Sequence, residues 1–356
     1  MFPPALMMSR TSRRGLLTGA AALAALLAAP GFTPLLAQDA TPAASGDPLS
    51  AWNDGAAKQA ISDFVASVTD PASPDFVIPE DRAAVFDLDG TLWVERPVYV
   101  DLMFAEDRAR DLIAATPTLA KATPYADLVS LDDHTLVALP PEDVTELVVD
   151  PFTGETPGEY HDLAVRWLAT AENGYYDRRV VALAYVPMIQ AMRFLEANGF
   201  TVYMASAGDI QFLRAHAEPV FGIPPAQVIG MMVGLDVTPG DAPGETELQR
   251  TDQVAFPVWG DDKAIAVERH VGIRPILAVG NSDGDMAMLG WTLASPAAHL
   301  AMIVWHDDAV REFDYGPTNG MTQTRAELES LGIVIISMKD DFRVLFAPGD
   351  GPVVTP

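Results

Sequence analysis

The chain has no cysteine in 356 residues. That excludes disulfides and lipid attachment at a cysteine, so stability must come from the apolar core or from a bound metal. Basic residues are also scarce. There are 22 Lys and Arg against 49 Asp and Glu, a formal net charge of −27. Such a surface repels nucleic acid and anionic membrane, and neither is expected as a partner. Long apolar runs are missing too. The Ala/Leu stretch from Leu16 to Ala29 is short and is followed by Pro30 and Pro34. It is too short for a permanent membrane span.

That stretch reads as part of an export signal instead. Arg13-Arg14 stand just before it, and small residues follow around Leu35-Leu36-Ala37-Gln38. A basic region, an apolar region and a cleavage zone in that order mark a secretory signal. The paired arginines resemble the twin-arginine type. Residues 1–40 are therefore expected to be an export signal, removed up to about Ala37, and the start of a tether, and the protein to be periplasmic or extracellular. Loss of Arg10, Arg13 and Arg14 would leave 19 basic residues and a net charge of −30.

The rest is globular, with 49% hydrophobic and 20% charged residues. Leu49 to Val68 has a helical period. After Thr91 the chain stays away from strand-like sequence for about a hundred residues. Val98–Ala115, Pro124–Asp132, Pro141–Phe152 and Tyr160–Ala171 read as helices there. Beyond them, strands and helices alternate. Strands are expected at Phe200–Ala205, Val228–Val237, Arg274–Val279, Leu300–Trp305 and Ile333–Ser337. Thr238–Thr251, with Pro239-Gly240 and Pro243-Gly244, reads as a loop. Alternation of this kind predicts an α/β fold, a mostly parallel sheet covered on both faces.

The sharpest feature is Ala83-Ala84-Val85-Phe86-Asp87-Leu88-Asp89-Gly90-Thr91. A short apolar run, read as a buried strand, stops in two carboxylates and a glycine. Ligands of open α/β sheets bind outside the carboxyl ends of the strands. A calcium loop needs further oxygen ligands and a late glutamate, but Leu92, Trp93 and Val94 follow instead. Two other strands also end in polar residues, at Ser206 and at Gly280-Asn281-Ser282-Asp283-Gly284-Asp285. Lys263 opens a helix between them. Each signal is weak alone, since Ser after a strand is usually a helix cap.

In this order the motifs resemble the haloacid dehalogenase-like superfamily of phosphatases. Asp87-Leu88-Asp89-Gly90-Thr91 matches the first motif in full, Ser206 the second, Lys263 the third. Residues 280–285 match the fourth with one departure, Asn281 where the family usually has Asp. The resemblance covers about residues 80–310. It implies a Rossmann-like, doubly wound core built from 41–94 and 178–356. Residues 95–177 would be an inserted helical cap, of the type found in the phosphoserine-phosphatase-like branch.

The resemblance also implies roles. Asp87 is the nucleophile, and a carboxylate attacking phosphorus splits a hard hydrolysis into two easier steps. Asp89 is the general acid and then the base. Lys263 steadies Asp87 and the phosphate. Ser206 and the backbone at Ala207 bind phosphate oxygens. Mg²⁺ would be held by Asp87, the Asp89 carbonyl, Asn281 and Asp285, with Asp283 as an alternative ligand. An amide at 281 brings no charge, so metal affinity should be lower than with Asp. Trp93, Glu95, Arg96 and Tyr99 either line the pocket or belong to the core of the cap.

The substrate implied is a small phosphate monoester. A dehalogenase on the same fold needs neither Asp89 nor a metal, and a transport ATPase needs membrane spans. A phosphotransferase differs only in the acceptor. The intact Asp87, Asp89, Ser206 and Lys263 argue against a catalytically inactive metal-binding protein.

Overall fold

A computed structural model describes residues 46–240 and 242–349. The segment expected to be an export signal, residues 1–40, lies outside them. Strand β1, Ala83–Phe86, is buried along its whole length. The other strands are β2 (Glu172–Asn173), β3 (Arg178–Arg179), β4 (Thr201–Asp209), β5 (Val228–Pro239), β6 (Thr246–Phe256), β7 (Leu277–Gly280), β8 (Leu300–Trp305) and β9 (Val334–Ser337). β2 and β3 form a small separate hairpin. The others make one sheet in the order β6-β5-β4-β1-β7-β8-β9. All neighbours are parallel except β5 and β6.

The apolar runs are continuous because both faces of the sheet are covered. Side chains alternate across a strand, and two cores result. Ala84 and Phe86 of β1, Leu277 and Val279 of β7, and Met302 and Val304 of β8 enter one. Val85, Ala278, Ala301 and Ile303 enter the other. The first is closed by helices Ala56–Thr69 and Val186–Ala197, the second by Asp261–Val271 and Met286–Leu293. From β1 the chain builds β4 and β5 on one side, and later β7, β8 and β9 on the other. The strand order thus reverses at the end of β1, where α/β sheets open a crevice.

One expectation needs correction. Thr238–Thr251 is not a loop: β5 runs on to Pro239 and pairs antiparallel with β6. The hairpin is mostly exposed along β6, in which only Arg250 is buried. Without a buried face there is no apolar alternation to read. The helix Met286–Leu293 was also not anticipated.

Between β1 and β4 the chain forms helices Val100–Ala115, Tyr125–Ser130, Asp133–Leu136, Pro141–Val149 and Pro157–Leu168. The last has a full capping box, Thr156 with Glu159, and Pro157 at its first position, each favouring a helix start there. This insertion packs into the same apolar core as the sheet. Phe104 stacks on Phe212, 5.4 Å between ring centres, and on Phe152. Main-chain hydrogen bonds join Gly154 N–H to Arg250 O and Arg250 N–H to Glu155 O, each 2.9 Å. The Arg250 guanidinium donates to Asp209 at 2.7 Å, with both side chains 2% exposed.

Candidate active site

The end of β1 carries Asp87, and a tight turn follows. Gly90 has φ of 76°, which a glycine adopts without strain. Space demands it too: a Cβ there would lie 2.0 Å from Asn281 Nδ2 and 2.7 Å from Glu95 Cδ. β4 contributes an irregularity. Its pairing with β5 jumps from Ala205↔Ile229 to Asp209↔Met231. Ser206, Ala207 and Gly208 thus stand opposite Gly230 alone and swing out of the ladder. A Cβ on Gly230 would meet Leu213, Ile210 and Gly208 at 2.6–3.0 Å, so glycine permits this close approach.

Asp87, Asp89, Ser206, Ala207 and Lys263 line one cavity of about 160 Å³. Lys263 Nζ donates to Asp87 Oδ1 and to Asp285 Oδ1, each at 2.6 Å. Asp89 is held on both oxygens. Trp93 Nε1–H donates to Oδ1 at 2.8 Å and the Ser206 hydroxyl to Oδ2 at 3.3 Å. Ser206 Oγ in turn accepts from Gly208 N–H. Trp93 is therefore a core residue that reaches the site by its indole N–H, and it stacks on the buried His216. Glu95 and Tyr99 line the cavity, while Arg96 lies over the Tyr315 ring instead. On the insertion side the wall continues with Asp101, Val137, Leu139, Val144, Thr145 and Val148. Val144 and Val148 are four apart on helix Pro141–Val149 and share a face.

The fourth motif lends Ser282 and Gly284 to the cavity wall, while Asn281 and Asp285 stand behind it. Asp285 is fully buried. Its Oδ1 accepts from Lys263, and its Oδ2 accepts from the backbone N–H of Asn281 and Ser282 and from the Ser282 hydroxyl. Its oxygens are thus engaged by the protein. Asp283 is exposed and bonded to Thr322, and it is not among the cavity-lining residues. Asn281 Nδ2 donates to Glu95 at 3.0 Å, and its Oδ1 lies 3.4 Å from the Thr91 hydroxyl.

A buried polar group behind Gly90 was not assigned from sequence. His306 sits between two acceptors, Glu312 Oε2 at 3.0 Å and the Gly90 carbonyl at 2.8 Å. With Glu312 ionised, both ring nitrogens face acceptors, an arrangement that favours the imidazolium. Burial disfavours that charge, but Glu312 outweighs it and His306 is held above its ordinary value. Asn319 then links His306 N–H to the Asn281 carbonyl. The only sequence signal was His306-Asp307-Asp308 after a strand. Glu312 and Asn319 lie in irregular chain without a period.

Electrostatics at the cavity are unusual. Burial, and then the neighbouring Asp285, push Asp87 up to about 7 despite Lys263. Burial and then Asp101 push Asp89 up to about 7. Burial pushes Glu95 up to about 7. A raised carboxylate keeps its proton in the folded state over a range where the unfolded chain has lost it. Stability then falls as pH rises through that range, here from about 4 to about 7. In EDTA we expect Tm to drop by at least about 3 °C between pH 5 and pH 7.5. A scan showing no drop would remove these three groups as the cause.

The cavity thus brings together two carboxylates, a buried ammonium and a serine hydroxyl at a strand bulge. No curated protein matches the chain. Among solved structures, a protein of unknown function from Bordetella pertussis Tohama I has 17% identity and a TM-score of 0.47, over 72% of this chain and 97% of that one. Cytosolic 5'-nucleotidase IIIB bound to cytidine has 11% identity and a TM-score of 0.40, over 79% and 85%. A phospho-aspartyl intermediate analogue of phosphoserine phosphatase has 13% identity and a TM-score of 0.34, over 72% and 93%. The family model of the haloacid dehalogenase-like hydrolases matches residues 84–290, more than half of the chain, and the chain belongs to that family.

Proposed function

We propose that the protein is a Mg²⁺-dependent phosphatase of small phosphate monoesters, working through an aspartyl-phosphate on Asp87. The observation that carries this reading is the convergence of Asp87, Asp89, Ser206 and Lys263 on one cavity. An Asp87 carboxylate oxygen attacks phosphorus as the ester oxygen leaves, and Asp89 gives that oxygen its proton. Asp89 then takes a proton from water, whose oxygen attacks the same phosphorus. Phosphate departs and the Asp87 carboxylate is restored. Asp89 suits both steps, since a proton carrier works best near the operating pH. Lys263 and the Ser206–Gly208 bulge stabilise charge on the phosphoryl oxygens, the main task in phosphoryl transfer.

Among the described residues no three His, Cys, Asp or Glu side chains form a ready-made metal cluster. The seat is of another kind. Asp87 Oδ2 and the Asp89 carbonyl have no hydrogen-bond donor among the described residues, and Asn281 Oδ1 has a weak one at 3.4 Å. Three such oxygens with waters suit Mg²⁺. Asp285 would serve from behind, fixing Lys263 and the backbone of Asn281. When bound, the ion neutralises charge on the phosphoryl group.

Residues 95–177 act in this reading as the cap that restricts entry. The apolar wall from Val137 to Val148 supports small substrates over polymers. Residues 1–40 act as the export signal suggested by Arg13-Arg14. Finding the protein only inside cells would remove that part.

The test is hydrolysis of para-nitrophenyl phosphate, a panel of small phosphorylated metabolites and a phosphoprotein, with Mg²⁺ or EDTA. Activity is expected on small esters with Mg²⁺ alone. Asp89→Asn should lower it by about 10²–10⁴-fold. Mg²⁺-independent turnover would sink the metal, efficient phosphoprotein hydrolysis the cap's role, and a fully active Asp89→Asn the proton carrier.

A further inference from the structure

The departure at Asn281 has a structural partner. Asn281 and Glu95 are both buried, 2% and 8% exposed, and their side chains meet at 3.0 Å. A carboxylate only accepts hydrogen bonds. With Glu95 ionised, Asn281 therefore turns its amide nitrogen to Glu95 and its oxygen away, toward Thr91. An aspartate at 281 would set two carboxylates about 3 Å apart in a desolvated place, which like charges resist. The glycine at 90 leaves the room that lets the two side chains meet. Glu95 also borders the cavity beside Asp87 and Asp89, whereas Asn281 is not among its lining residues.

We propose that Glu95 supplies the negative charge that Asn281 withholds from the cation. The acid thus stands in the loop after Gly90 rather than at the end of β7, and the amide remains as the oxygen ligand. Glu95 acts on the ion through the field or a bound water, since Mg²⁺ keeps several waters. This inference rests on the cation reading above.

The test is calorimetric titration of Mg²⁺ into the metal-free protein, without substrate. Glu95→Gln keeps the acceptor for Asn281 and removes only the charge. Mg²⁺ affinity is expected to fall about ten-fold or more, the scale on which groups supporting metal ligands act. The metal-free Tm should rise, because a buried carboxylate is gone. Adding Asn281→Asp to Glu95→Gln returns the charge at its other address and should recover most of the affinity. Asn281→Asp alone should lower the metal-free Tm. Unchanged affinity in Glu95→Gln, or a double variant as weak as the single one, overturns the proposal while the wild type still binds Mg²⁺. A wild type that binds no Mg²⁺ overturns the cation reading along with it.

Discussion

Replacing Asp87 by Asn is expected to lower kcat on the order of 10⁶-fold, the scale seen when a hydrolase loses its covalent nucleophile. The fold should survive. Asn has nearly the shape of Asp, and its oxygen can still accept from Lys263, now 2.6 Å from Asp87 Oδ1. Lys263 also keeps its second partner, Asp285. Substituting the amide removes a carboxylate whose charged form burial disfavours, so the variant should be at least as stable as the wild type at neutral pH. Intact mass spectrometry after acid quench should find a phosphorylated wild type and no phosphorylated variant. A folded variant that still turns over or still carries phosphate would move the nucleophile elsewhere.

How far the sequence spoke for itself follows from the same physics. β1, β7 and β8 were legible because parallel strands covered on both faces are continuous apolar runs. Asp87 and Asp89 were legible because two acids interrupt such a run. β6 was hidden: an exposed edge strand such as Thr246–Phe256 need not alternate. The relation of Glu95 to Asn281 was hidden for another reason. The two are 186 residues apart, and nothing local in either segment refers to the other. Trp93 looked like cap or pocket. Only the fold shows that it is buried in the core and points its N–H at Asp89. The Arg250–Asp209 pair likewise joins the hairpin to the bulge of β4 across sequence that reads as loop.

Lys263→Met should damage both stability and activity, and pH separates the two effects. Lys263 is 4% exposed and bridges Asp87 and Asp285. Burial alone would lower its pKa, but Asp285 and Asp87 outweigh burial and hold it above its ordinary value. Without the ammonium, two buried carboxylates face each other unpaired. Breaking a buried ion pair from one side costs about 3–5 kcal/mol. For a chain of this size that is a fall in Tm on the order of 10 °C. The loss should be largest at pH 7.5 and should shrink at pH 5. Asp87 already favours its protonated form below about 7, and a neutral acid no longer needs the cation. Asp285→Asn added to Lys263→Met should restore much of the stability at pH 7.5 for the same reason. It should not restore turnover, since no fixed cation is left beside the phosphate. Loss of one such charge-stabilising group costs about 10²–10³-fold in kcat. If the double variant regains activity, Lys263 only keeps Asp285 and Asp87 apart. If the stability loss is the same at both pH values, the two carboxylates are not what the ammonium holds in place.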